Sequence, residues 1–288
     1  MLKIIKNIKN KSTDLLFSPI KLYVKYVIQP IRKISDILLN NEFKRFIQNP
    51  KNPFNKYGKR CFSQCDEDGI TLEIIKRLNL KDGTFLEVGC GTGLQNNTLI
   101  LAALNWKGIW VDPQELNFNY KKSKKLVFNK TFATEENITD LISESLKKLN
   151  SNQVDYISID IDGADYFLAK KILENKINAK VFVVEINQKI PPPIEFVAKL
   201  ESTNDIYDDY FGASLSAYSK LFKKFGYSAV CVSSIMGHNA FFVKDEYMKL
   251  FKEVPNDIED IYITPNFWSY SANYKTTTSK KMVENFFK

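Results

Sequence analysis

Three glycines at alternate positions, Gly89, Gly91 and Gly93, follow the apolar run Phe85-Leu86-Glu87-Val88, and a second short run, Gly108-Ile109-Trp110-Val111, ends in Asp112. Glycines so spaced let a backbone turn sharply and approach a ligand with no Cβ in the way. An acid closing the next strand stands where the ribose diol of a nucleotide cofactor would lie. A dinucleotide fingerprint would place its third glycine at position 94, which here is Leu94, so the spacing disfavours an NAD-dependent oxidoreductase. More chemistry sits further along. Asp160 and Asp162 lie two apart at the end of an apolar run, as do Glu185 and Asn187. In an extended backbone each pair points to one side, facing the crevice at the carboxyl ends of parallel strands. Three readings of these groups are open: they orient an acceptor hydroxyl, hold a divalent cation through oxygen ligands, or are hydrogen-bonded structural carboxylates. No metal ligand is assigned. His238 is the only histidine, and its imidazole could take a proton near pH 7; Asp162 and Glu185 are the other candidate bases.

The elements that would carry these residues follow from periodicity. Apolar runs predict parallel strands ending at Val88, Asp112, Ala133, Ile161 and Ile186, and two further strands over 227–233 and 239–244 joined by a turn containing Gly237. Helical spacing predicts helices over 70–78, 94–104, 115–125, 137–149, 166–173 and 214–225. Asp66, Glu67 and Asp68 stand before the first of these, where capping is one explanation, and Asp165 reads as a cap for the fifth. Residues 188–211, with three consecutive prolines and Tyr207-Asp208-Asp209-Tyr210, are too long and irregular for a simple connection and read as a substrate lid. Asn187, Lys189 and Tyr207 are its candidate acceptor contacts, Lys189 for a phosphate.

The G-x-G-x-G string with Glu87 inside its strand resembles motif I of the class I S-adenosylmethionine-dependent methyltransferases. Ser63-Gln64-x-x-Glu67-Asp68-Gly69-Ile70, Tyr210-Phe211-Gly212-Ala213-Ser214-Leu215, Gly226-Tyr227 and Gly237-His238-Asn239-Ala240-Phe241-Phe242-Val243 resemble the FkbM-like members of that group. The likeness spans about residues 60 to 245. It implies an α/β, Rossmann-like class I methyltransferase fold, with a seven-stranded, mostly parallel sheet, an antiparallel last strand, and helices on both faces. It further implies that S-adenosylmethionine is bound and S-adenosylhomocysteine released at Gln64, Glu87, Gly89, Gly91, Gly93, Asn96, Asp112, Thr134 and Asp160, with Thr134 near the adenine and donors from Asn96, Asn97 and Thr98 for the cofactor carboxylate. The implied activity is O-methylation of a small hydroxylated or phosphorylated acceptor: a sugar or a nucleotide-activated precursor of surface polysaccharide, a capsular phosphoramidate included.

Composition bounds the rest. Of the net charge of +8, residues 1–50 carry +7, with ten Lys/Arg against three acids, and the other 238 residues carry +1. The near-neutral remainder speaks against a nucleic-acid partner. Four scattered cysteines show no zinc spacing and read as free thiols in a reducing cytoplasm. The expected organisation is a basic amphipathic helical extension and linker (1–57), a methyltransferase domain (58–245) and a tail packing on it (246–288). Pro19 and Pro30 are expected to divide the extension into short helices. No run there is long enough to span a bilayer or to serve as a signal peptide. The extension fits peripheral contact with anionic lipid at the inner face of the membrane, or packing on the core or on a second copy. A noncatalytic membrane-associated module would leave the glycine string unexplained.

Overall fold

The computed structural model describes residues 22–48, 51–161, 163–199, 209–234, 237–264, 278 and 280–286. Contacts divide the chain between Gln48 and Asn49 into two units.

In the first unit, a π-helical turn Val24–Ile28 runs into helix α1, Gln29–Gln48. Pro30 does not break the helix, contrary to the sequence expectation. A proline cannot donate to the carbonyl one turn back and its ring crowds that carbonyl; the wider π turn just ahead accommodates both. Ile31, Ile34, Ile37 and Leu38 on α1 are all exposed.

The second unit is built on seven strands: β1 Thr84–Val88, β2 Lys107–Asp112, β3 Leu126–Lys130, β4 Tyr156–Ile159, β5 Val181–Glu185, β6 Tyr227–Val232 and β7 Asn239–Lys244. Their order is β3-β2-β1-β4-β5-β7-β6. The first five pair in parallel, while β7 runs antiparallel to both β5 and β6. This is the order and sense of the class I methyltransferase fold, with helices flanking both faces. Every residue of β1, β4 and β5 is buried, which is why these strands read as continuous apolar runs rather than alternating ones. An aromatic cluster seals the β7 side: Phe222 stacks on Phe242 at 4.3 Å, with Phe182 and Tyr227 edge-on to Phe222.

Helix α2 (Glu67–Arg77) leads into β1, and α3 (Leu99–Ala103), α4 (Ile138–Leu149), α5 (Asp165–Glu174) and α6 (Leu215–Lys223) lie between later strands. Ser214 caps α6, its Oγ accepting from Ala217 N at 3.2 Å. Two expected helices differ. The one over 94–104 shrinks to Leu99–Ala103, because residues 96–98 are drawn to Glu87, as described below. The one over 115–125 is absent: Asn117 N bonds to Thr92 O at 3.0 Å, and Phe118 and Tyr120 continue an edge-to-face ladder from Trp110 to Phe128. A helix there would break both.

The expected linker is also part of the second unit. Asn52 and Asn55 donate to Val230 O and Val232 O on the edge strand, each at 2.8 Å, and Phe54 is fully buried. Asparagine in a Pro/Asn-rich stretch signals a turn, and here the same amides also close the sheet edge. After the sheet, Phe251, Val254 and Ile261 (the last in the short helix α7, Ile258–Ile261) join the core. Helix α8, Lys280–Phe286, places Met282 in a cluster with Ile190, Phe196, Ala198 and Tyr210. The tail thus packs on the described part of the segment read as a lid. Its centre, with Tyr207, lies outside the described residues, as does the aromatic string around Trp268.

Candidate functional site

A cleft of about 700 Å³ opens at the carboxyl ends of β1, β2, β4 and β5. It lies where β1 and β4 part the chain toward opposite sides of the sheet, the place an open α/β sheet offers a ligand. Among the described residues, its lining includes five carboxylates (Glu67, Glu87, Asp112, Asp160 and Glu185), one histidine, and no lysine or arginine.

One half is formed by β1, β2 and the glycine string. Gly89 has φ +89, and a Cβ there would stand 1.8 Å from the carbonyl oxygen of Asp160; the ends of β1 and β4 meet only because that atom is missing. Gly91 (φ +54) has the opposite surroundings, with nothing within 4 Å of the Cβ position. Its N–H donates to Asp112 Oδ2 at 2.7 Å, and Asp112 Oδ1 accepts from Gln114 N at 2.8 Å. The acid therefore braces the loop while facing the cleft, with lone pairs left for a diol. Gly93 packs under Phe118, Leu116 and Trp110 instead, and is not part of the lining.

Glu87 stands at the cleft as expected, with a structural task besides. It lines the cleft yet is buried, and its two oxygens accept from Asn96 Nδ2, Asn97 N, Thr98 N and the Thr98 hydroxyl. Thr98 Oγ1 in turn accepts from Trp110 Nε1 at 2.9 Å. Glu87 thus holds the loop that walls the cleft, and the donors expected to meet a cofactor carboxylate are given to Glu87. Burial pushes its carboxyl pKa up and these hydrogen bonds oppose the rise. Thr134 also has a different place: its backbone bonds Asn137 and Ile138 at the start of α4, and the wall there is Thr131, Phe132 and Ala133. Phe132 is 72% exposed, an open aromatic face beside the cleft.

The other half is formed by the segment before α2, the ends of β4 and β5, and the start of β7. The 63–70 string is not simply a cap, since Asp66 makes no capping bond. Its three carboxylates hold both neighbouring and distant parts of the chain. Asp66 accepts from Ser234 N, Asp68 Oδ2 from the N–H groups of Cys61, Phe62 and Ser63, and Glu67 from Cys65 N and Asn239 Nδ2. Gln64 is exposed at the cleft mouth. Burial, with Glu67 and Asp66 nearby, pushes the Cys65 thiol pKa up, which opposes formation of the thiolate. Glu185 stands directly across the ladder from Asn239, which puts their side chains on one face. His238 Nδ1 lies 3.8 Å from Glu185 Oε1, and His238 Nε2 lies 3.2 Å from Gln188 Nε2. Asp165 Oδ1 and Oδ2 accept from Ile161 N and Gly163 N, both at 2.8 Å, so it shapes the loop after β4 rather than capping α5; Asp162, in that loop, lies outside the described residues.

Two of the candidate acceptor contacts after β5, Asn187 and Lys189, are not among the residues lining the cleft, and the third, Tyr207, lies outside the described residues. Asn187 is fully buried, and its amide donates to the carbonyls of Asp209 and Phe211. Lys189 is ion-paired with Asp209. Both anchor the returning chain. Asn187 is therefore committed, and no group of three or more metal-ligating side chains occurs among the described residues. No described helix is long and apolar enough to cross a membrane.

The structure brings together Gln64, Glu87, Gly89, Gly91, Asn96, Asp112, Asp160, Glu185 and His238. Sequence reasoning missed Gln95, Gln114 and Phe132, which carry no motif, and Asn239, which stands inside the quoted Gly-His-Asn string.

No family model matches the chain, and no curated protein does. Among solved structures, it is similar to a protein named as a hemolysin from Lactococcus lactis (14% identity, 65% of this chain and 90% of that one, TM-score 0.38). A protein named as a ribosomal RNA methyltransferase from Plasmodium falciparum (13%, 64% and 97%, 0.39) is comparable. So is one named as an O-methyltransferase from Nostoc punctiforme (10%, 62% and 55%, 0.39). At these scores the likenesses carry no argument about this chain's activity.

Proposed function

We propose that this chain is an S-adenosylmethionine-dependent O-methyltransferase acting on a small hydroxylated acceptor. The observation that carries the reading is the Gly91–Asp112 corner. The glycine leaves open the space a side chain would fill, and its N–H fixes an acid at the rim of that space. A cofactor with a ribose diol fits there, its hydroxyls accepted by Asp112 and its base against the open face of Phe132. The methionine end would pass Gly89 and the loop held by Glu87. The acid-rich lining suits the positive charges of a sulfonium and an ammonium.

The cofactor supplies an activated methyl group, and the protein's own task is alignment of the acceptor oxygen and removal of its proton. Asp160, Glu185 and His238 gather where that oxygen would approach. Carboxylates without lysine or arginine, among the described lining residues, favour a neutral hydroxylated acceptor such as a sugar. A phosphate or phosphoramidate on a nucleotide-activated capsule precursor would have to project away from this rim, since Lys189 is already paired with Asp209. The Leu94 position and the reversed β7 disfavour nicotinamide dinucleotide. The basic first unit fits contact with anionic lipid at the inner face of a cytoplasmic membrane, or self-association.

Isothermal titration with S-adenosylmethionine, S-adenosylhomocysteine and NAD tests the reading. Binding of the first two and not the third is expected; binding of NAD alone, or of none, would end it.

A further inference from the structure

Resting on that reading, we propose that Gln188 is a positioning residue: it fixes His238 as the tautomer with its hydrogen on Nδ1, so that the Glu185 carboxylate, not the imidazole, takes the acceptor proton.

The argument starts from what each nitrogen can do. The Nε2 of a glutamine amide has hydrogens to give and no lone pair to offer. It stands 3.2 Å from His238 Nε2, so that ring nitrogen is the acceptor, and a neutral imidazole then carries its hydrogen on Nδ1. Nδ1 lies 3.8 Å from Glu185 Oε1, an ion-pair distance rather than a hydrogen bond, so that hydrogen stands on the side of the ring nearest a carboxylate. Neither nitrogen is then placed to receive a proton. Nδ1 already holds one, and protonating Nε2 would set two N–H groups against each other.

The backbone makes the arrangement firm. Ile186 N donates to His238 O at 2.6 Å, Tyr262 Oη donates to Gln188 O at 2.6 Å, and Gln188 is fully buried. The amide therefore sits in a fixed frame beside the ring. Glu185, by contrast, lines the cleft at the end of β5, and a carboxylate within hydrogen-bond reach can accept a hydroxyl proton as the bond forms. In the balanced step, the acceptor oxygen bonds the methyl carbon while the carbon–sulfur bond breaks with its pair going to sulfur, and the hydroxyl proton passes to Glu185. His238 acts through Glu185, holding the positive end of its Nδ1–H dipole near the carboxylate.

Because the chain holds one histidine, ring-15N-labelled protein gives one imidazole to read by NMR, with no cofactor or acceptor present. At about pH 8.5, two units above the ordinary imidazole pKa of about 6.5, Nδ1 is expected to be pyrrole-type and Nε2 pyridine-type. The reverse pattern would overturn the proposal, because it requires the amide oxygen at Nε2 and frees Nδ1 as a base. An imidazolium at that pH would overturn it too, since both nitrogens would then donate. Gln188→Glu is expected to reverse the tautomer by accepting from Nε2. Gln188→Leu, the alternative should the buried acid disrupt folding, is expected to lose the single form. An unchanged Nδ1–H form in a folded variant would show that Gln188 does not set it. Failure to bind S-adenosylhomocysteine would sink the methyl-transfer reading and leave this tautomer result standing, so the two failures are distinguishable.

Discussion

The two halves of the cleft are built differently. Around β1 and β2, polar groups are used to hold backbone: Glu87 accepts from a whole loop, and Asp112 joins the glycine turn to the chain after β2. Around β5 and β7, side chains face side chains, Glu185 to His238, His238 to Gln188 and Glu67 to Asn239. On the proposed function, the first half is a preformed cradle whose shape is its function, and the second is a set of proton-handling groups whose state is. Substitutions in the first should therefore alter binding, and substitutions in the second should alter rate.

The sharpest separation comes from Glu185→Gln. With an acceptor that turns over, its kcat should fall about 10²- to 10⁴-fold, the usual contribution of a general base, while S-adenosylhomocysteine binds as to the parent in calorimetry. Weakened cofactor binding in that variant would erase the distinction between the halves. Gly89→Ala should cost about 3 kcal/mol or more of stability, since the added carbon would meet the Asp160 carbonyl at a positive φ; thermal unfolding reads it as a lowered Tm. Asp112→Asn should weaken S-adenosylhomocysteine about ten- to a hundredfold in calorimetry, because hydrogen bonds to a charged group are worth about 1.5–3 kcal/mol and the amide leaves one uncharged acceptor oxygen where Gly91 N, Gln114 N and the diol had two charged ones. A smaller loss, about fivefold, is expected for Phe132→Ala from lost ring contact of about 1 kcal/mol. Measured by the same titration, it would place the cofactor base at that wall.

The same contrast explains what the sequence disclosed. The cradle half was legible because its geometry demands particular residue types: glycine where β1 touches β4, and an acid at the end of β2. The strands themselves followed from apolar runs, while the mostly parallel sheet with its reversed last strand was what the resemblance implied. Roles were less legible than positions. Glu87 and Asn96 stand at the cleft as expected, but they bond each other, a pairing across nine residues that no local rule shows. Asn187 and Lys189 carried the right chemistry yet serve the returning chain through Asp209, a partner 20 or more residues away. Pro30 and the asparagines at 52 and 55 read as breaks, because turn chemistry is visible locally and the sheet edge or helical register that absorbs it is not.

The most direct measurement is a titration of S-adenosylhomocysteine into the parent chain and Gly91→Ala side by side, with unfolding curves on both. No atom approaches the Cβ position of Gly91, so the variant should stay folded, with only about 1 kcal/mol lost to its left-handed backbone, yet bind at least about tenfold more weakly because the methyl group occupies ligand space. Equal binding by both chains, or no binding by the parent, would contradict the account.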